Sequence, residues 1–193
     1  MNVWFTSDTH YGHKNIIRYA GRPFPSVEVM DKEMVERWNS VVQPGDVVYH
    51  LGDFAFCPAD EAIVIAQRLN GHKHLIFGNH DKRLRKDSRF IKCWESTQDF
   101  LEIRVADETL TDGRDRGTRR ITLCHYAMKV WNHSYRGTWQ LFGHSHGTLH
   151  DDPNSKQLDV GVDCWNFIPV SYEQVREKME KKTFVPVDRH GED

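Results

Sequence analysis

Short apolar runs alternate along the chain with longer amphipathic stretches, the pattern of strands interleaved with helices. Val3-Trp4-Phe5-Thr6 opens as a strand, Val47-Val48-Tyr49-His50-Leu51 predicts a second, and His74-Leu75-Ile76-Phe77 a third, buried one. From Ser26, the residues Val27, Met30, Met34, Trp38 and Val41 fall on one face at helical spacing. Asp60 is placed to cap another helix carrying Ile63, Val64, Ala66 and Leu69. The character then changes. Phe100 to Val105 and Arg119 to Cys124 read as two β-runs joined by a polar loop containing Asp112-Gly113, which predicts a hairpin. Gln140-Leu141-Phe142 and Leu158-Asp159-Val160-Gly161-Val162 read as further short strands. A closing helix starts at Ser171, where Ser171 and Gln174 have capping-box spacing.

This is an α/β chain, and a length of 193 residues with 38% hydrophobic content supports one compact domain spanning 1-193. No repeat, low-complexity segment or Pro/Gly/Ser-rich linker divides it. A formal charge of −2 gives no sign of a general polyanion binder or a membrane-surface protein. No apolar run approaches the roughly 18 residues of a membrane span, and the first residues alternate like a strand instead of forming a signal peptide. The expectation is a cytoplasmic protein with no membrane partner; nothing fixes its oligomeric state. Cys57, Cys93, Cys124 and Cys164 stand singly, without a Cys-x-x-Cys pair, and read as reduced, mostly buried residues.

Histidine is the outlier, with 12 in the chain, and five of them follow predicted strands. Asp8-Thr9-His10 follows the first strand, Gly52-Asp53 the second, Gly78-Asn79-His80-Asp81 the third, His125 the hairpin, and Gly143-His144-Ser145-His146 the next. Ligand sites of open α/β sheets gather at the carboxyl ends of strands, so Asp8, His10, Asp53, Asn79, His125, His144 and His146 should meet at one edge. Mixed carboxylate, amide and imidazole donors without thiolate suit manganese, iron, cobalt or nickel, and accept zinc. Seven side chains exceed the needs of one ion but suit two bridged by a carboxylate, for which Asp53 is the choice.

In this order the blocks resemble the five motifs of the calcineurin-like metallophosphoesterase superfamily. The opening from Ser7 to Ile17 is similar to that of its small bacterial and phage-encoded members. The resemblance implies a four-layer sandwich of two mixed β-sheets flanked by α-helices. It implies two divalent ions per chain, manganese first: Asp8, His10, Asp53 and His146 on one, and Asp53, Asn79, His125 and His144 on the other. His80 would face the substrate and Asp81 would orient its ring; Asn79 would also meet substrate, with His13 beside the first motif. Hydrolysis would proceed by a metal-activated water, with His80 protonating the leaving oxygen. Protein phosphatases of the superfamily carry a longer second motif and Glu where Asp81 stands, which argues against a phosphoprotein substrate.

The expected substrate is a phosphoester, with a nucleotide or nucleic-acid diester ahead of a small-molecule monoester because no large cap insertion encloses the site. A silent scaffold on the same fold is disfavoured by the intact ligand set. Lys14 and Asn15 either contact a phosphate beside the first motif or begin a solvated helix, and His50, His72, His74 and His150 read as structural or surface positions. The run Lys82-Arg83-Leu84-Arg85-Lys86 reads as a solvated face. Trp131, His133, Tyr135 and Arg136 offer a stacking wall for a base, with a place in the core as the alternative for Trp131. Arg114, Arg116, Arg119 and Arg120 resemble charges protecting a sheet edge.

Overall fold

The computed structural model describes residues 1–111 and 116–187. Two mixed sheets lie face to face with flanking helices. In the first, β1 (Val3–Thr6), β2 (Val47–His50), β3 (His72–Ile76) and β4 (Ser96–Gln98) run parallel in the order β4-β3-β2-β1. A two-residue strand, β9 (Val170–Ser171), pairs antiparallel with β1. In the second sheet β5 (Phe100–Ala106) and β6 (Thr118–Cys124) form the expected hairpin, Phe100 opposite Cys124. Then β7 (Trp139–Phe142) and β8 (Gln157–Asp159) follow in parallel with β6. The loop residues Asp112, Gly113 and Arg114 lie outside the described residues.

Alternation along the strands divides the core in two. Val48 and Leu75 face Met30, Met34 and Trp38 of α2 (Val27–Val41) and Ala62 and Ala66 of α3 (Ala59–Arg68). Their neighbours Phe5, Leu51 and Ile76 turn the other way and meet Ile121, Leu123 and Leu141 of the second sheet. That is the period-2 consequence of strands buried on both faces. Ser26 caps α2 by accepting the Val29 amide at 3.3 Å. The closing helix α5 (Tyr172–Lys181) has both halves of its capping box and drives Tyr172, Val175 and Met179 into the inter-sheet cluster.

Several expectations change. Helix α3 starts after Pro58, not at Asp60; Asp60 and Glu61 occupy its first turn, where carboxylates favour the helix dipole. The strand expected over Leu158 to Val162 ends at Asp159, because the chain then turns across to β1, where Gly161 bridges Ser7 and the Val162 amide donates to the Ser7 carbonyl at 3.0 Å. The short α1 (Lys14–Tyr19) and α4 (Ser88–Ile91) were not marked by periodicity, nor was polar β4. The cysteines are free, but three are only half-buried and Cys164 is exposed. Among the described residues no helix is long and apolar enough to cross a membrane.

Candidate metal centre

Asp8, Asp53, Asn79, His125 and His144 each stand just beyond the carboxyl end of a strand, three in the first sheet and two in the second, all five strands being parallel within their sheets. The turns that follow are strained. Asp8, His10, Asp53, His144 and His146 all have positive φ, between 48° and 67°, in the left-handed region that side chains other than glycine seldom occupy. Backbone bonds hold them there: Asp8 N–H donates to the Gly52 carbonyl at 2.9 Å, His10 N–H to that of Asp53 at 3.0 Å, and Gly143 N–H to that of His125 at 3.0 Å. Close approach explains two glycines. A Cβ on Gly52 would stand 2.5 Å from the Gly78 amide, and one on Gly143 would collide with Ser7 and the Asp8 carboxylate.

The side chains converge as two groups, Asp8, His10 and His146 in one and Asp53, His125 and His144 in the other, each with ligand atoms within 4.8 Å of one another. Asp53 also lies between the groups: its Oδ2 is 3.6 Å from His10 Nε2 and 3.5 Å from His125 Nε2. Asn79 joins the second group through its Oδ1, 3.1 Å from His125 Nε2. Asp8 Oδ2 accepts the His144 amide at 2.8 Å, whereas buried Asp8 Oδ1 and both ring nitrogens of His10 have no hydrogen-bond partner. Burial pushes the Asp8 carboxyl up to about 7 and the His10 imidazole down to about 2. A buried carboxylate oxygen and two buried imidazole nitrogens left without hydrogen-bond partners are donors that suit a bound cation. The donor set is N and O without thiolate and fits divalent transition ions.

A supporting layer fixes the ligands. His125 Nδ1 donates to the Leu51 carbonyl at 2.7 Å, which presents Nε2 to the site. His146 Nδ1 is 2.7 Å from Asp163 Oδ2. Asp163 is gripped in turn by the buried Arg22, whose Nε and Nη2 reach its two oxygens at 2.8 and 2.9 Å. Arg22 also donates to the carbonyls of Asp8 at 2.7 Å and Thr9 at 2.9 Å, clamping the first motif. Sequence reading missed both residues. An Arg and an Asp 141 positions apart carry no local pattern, although Asp163 in Asp159-Val-Gly-Val-Asp163 follows a strand as the ligands do.

Asp81 does not orient the His80 ring. Its carboxylate faces main chain, accepting the amides of Asp53 and Gly78 on Oδ2, both at 2.8 Å, and that of Phe54 on Oδ1 at 3.0 Å. It thus ties the second motif to the third, a need set by the tertiary approach of two loops. His80 donates its own amide to Asp53 Oδ1 at 2.8 Å and leaves its ring half-exposed, Nε2 4.0 Å from Asp53 Oδ2. His13 lies beside them, its ring 5.4 Å from that of His10. Lys14 and Asn15 are exposed on α1. His50 is structural: its Nδ1 accepts the Gly52 amide and its Nε2 pairs with Thr9 Oγ1.

The expected aromatic wall is not brought to the centre. Trp131 donates its indole N–H to the Thr138 carbonyl at 3.0 Å and lines a groove with Lys156, Phe184 and Val185. The aromatic side chains that do flank the ligands are Phe56, beside His13 and His80, and Tyr126, against His125 and His144. Of the basic run, Arg85 pairs with Asp99 and covers Phe77, while Lys82 and Arg83 are exposed.

Residues 1–167 match the calcineurin-like phosphoesterase family. The chain is 32% identical over 186 residues to an uncharacterised protein of Methanocaldococcus jannaschii, covering 93% of this chain and 92% of that one. It is 28% identical over 194 residues to the gene 66 protein of Mycobacterium phage D29, covering 91% and 94%. A solved structure of a protein of unknown function from Aquifex aeolicus has the same fold, with a TM-score of 0.64 at 22% identity over 91% of this chain and 98% of the other.

Proposed function

Given that the chain belongs to the calcineurin-like phosphoesterase family and is a metal-dependent phosphoesterase, we propose that it hydrolyses phosphodiesters of the nucleotide type, with Mn²⁺ as its preferred ion. The reading rests on one arrangement above all. Asp53 Oδ2 sits between His10 Nε2 and His125 Nε2 while Asp8 Oδ1 and the His10 nitrogens are buried without a hydrogen-bond partner, which is how two cation sites sharing one carboxylate would be built. Asp8, His10, Asp53 and His146 would hold one ion, and Asp53, Asn79, His125 and His144 the other. Bound there, the pair supplies Lewis-acid stabilisation of the phosphoryl oxygens and acidifies the attacking water.

The chain's own residues do the rest. His80, held by its amide on Asp53 Oδ1 and open to solvent at its ring, would give a proton to the leaving oxygen, a contribution of about 10²–10⁴ where the leaving group is a poor one. Asp163 holds the proton on His146 Nδ1 and keeps Nε2 free for the ion. The exposed His80, Phe56, Tyr126 and His144 leave the centre open to a substrate with two organic arms, which supports a diester over a small enclosed monoester. His13 and Asn79 would meet that substrate.

The test is a panel of mono- and diesters of graded leaving-group pKa, assayed with Mn²⁺, Ni²⁺, Co²⁺ and Zn²⁺ on wild type and His80→Ala. Aryl and nucleotide diesters should be cleaved and phosphoproteins should not. His80→Ala should keep its metals and lose about 10²–10⁴-fold on alkoxide leaving groups but far less on nitrophenolate. A strict monoester profile would overturn the diester assignment, and an equal loss at every leaving-group pKa would remove His80 as the acid.

A further inference from the structure

Phe56 is 54% exposed although Phe54 and Ala55 before it are fully buried. A lone exposed aromatic is ordinary on a protein surface, but this one is neither loose nor remote. Its amide donates to the Tyr11 carbonyl at 2.8 Å, the Tyr11 amide donates to the Phe54 carbonyl at 3.0 Å, and Tyr11 bridges Ala55. The backbone that carries the ring is therefore pinned to the first motif, next to ligand His10. The Phe56 ring lies nearly parallel to that of His13, centroids 4.5 Å apart at 29°, and meets the His80 ring edge-on at 5.5 Å and 73°. Among the described residues the His80 ring neighbours the rings of His10, His13 and Phe56, and of these Phe56 offers a large open face. Tyr126, at the other group, has its hydroxyl turned to ligand Asn79 at 3.4 Å and supports that ligand instead.

We propose that Phe56, backed by His13, is a specificity-determining platform on which the leaving group's ring, a nucleobase or an aryl group, stacks during hydrolysis. The inference rests on the diester reading, with His80 at the leaving oxygen. A group attached to that oxygen has to pass the His80 ring, and the apolar face it meets there is Phe56. Every base has a π-face, so such a platform selects for an aromatic leaving arm without reading its identity. Beyond His13 the exposed Tyr19, 6.3 Å from it ring to ring, and the Arg18 guanidinium 5.2 Å over Tyr19 extend the surface for a longer substrate and add positive charge.

The experiment compares three dinucleoside phosphates: one with both bases, one abasic on the leaving nucleoside, and one abasic on the retained nucleoside. The alkoxide is the same in kind throughout, so differences in kcat/KM report the base alone. Wild type should favour the base-bearing leaving arm over the abasic one by about 5- to 150-fold. Phe56→Ala should bring that ratio close to one, Phe56→Tyr should restore it, and metal content should be the same in all three proteins. An equal loss on base-bearing and abasic substrates, or a ratio that changes only for the retained base, would overturn the platform. Diester cleavage insensitive to the leaving base overturns the platform alone, whereas absence of any diester cleavage overturns the reading beneath it.

Discussion

Just past β5, beside the start of β6, Asp107 is 2% exposed and its carboxylate is saturated. Oδ1 accepts the Thr109 amide at 3.1 Å and its hydroxyl at 2.5 Å, Oδ2 accepts the Tyr172 hydroxyl at 2.6 Å, and Arg119 and Arg176 stand at 3.5 and 3.7 Å. Just past β1 Asp8 is fully buried, yet one of its oxygens has no hydrogen-bond partner, its backbone is left-handed, and His146 Nε2 stands 4.0 Å from that oxygen. The two carboxylates are alike in chemistry and burial and opposite in what surrounds them. Donors brought by the fold complete Asp107, which makes it structural. Among the described residues none completes Asp8 Oδ1 with a hydrogen bond, and that oxygen belongs to a group of side chains suited to a metal ion. Burial of a charged group does not by itself identify a site; here the unsatisfied oxygen counts because His10 and His146 converge on it as a ligand group.

The largest effect that would break this comparison is at Asp53, the carboxylate between the two groups. Asp53→Ala should release both ions from a wild type holding two per chain, measured by elemental analysis, and lower kcat/KM by about 10⁴-fold or more, as when a unit acting together is dismantled. A variant that keeps two tightly held ions would contradict its bridging place. Next comes the layer behind the ligands. Asp163→Ala removes the partner of His146 and strands the Arg22 guanidinium, so Mn²⁺ affinity in a titration should fall about 10–100-fold. An unchanged affinity accompanied only by a lower Tm would make Asp163 as structural as Asp107.

The smallest effect on chemistry is expected at the saturated carboxylate. Asp107→Ala should cost about 2–4 kcal/mol of folding stability in denaturant titrations while leaving metal content and activity per folded molecule intact. The pH dependence follows from its environment. Burial pushes the Asp107 carboxyl up, but the hydrogen bonds from Thr109 and Tyr172 and the charge of Arg119 outweigh it and hold it below the ordinary value. A carboxyl depressed in the folded state stabilises above its unfolded pKa of about 4 and loses that contribution as pH falls further. The wild-type advantage over Asp107→Ala should therefore persist at neutral pH and shrink only in acid. An advantage that vanished around neutral pH, at roughly pH 7, would refute the assignment.

What could be read without coordinates depended on how locally each signal is written. Helix α2 and the hairpin announce themselves through apolar period and turn residues, whereas β4, spelled Ser-Thr-Gln, and two-residue β9 have no pattern of their own and exist because a neighbouring strand offers an edge. The same divide runs through the site. That Asp8, His10, Asp53, Asn79, His125, His144 and His146 come together was legible because each follows a strand at a turn, and that placement is local.

By itself the sequence determined the order of strands and turns, and with it which polar side chains must collect at one sheet edge, since the carboxyl ends of parallel strands share a direction. Only the tertiary structure decided what those side chains do to one another. It turned the Asp81 carboxylate to three backbone amides instead of to His80, carried Trp131 away from the centre, and brought Arg22 to Asp163 across 141 positions. The reason is physical: hydrogen bonds and orphaned lone pairs depend on angstrom-scale distances between loops remote in the chain, and residue order does not encode such distances locally.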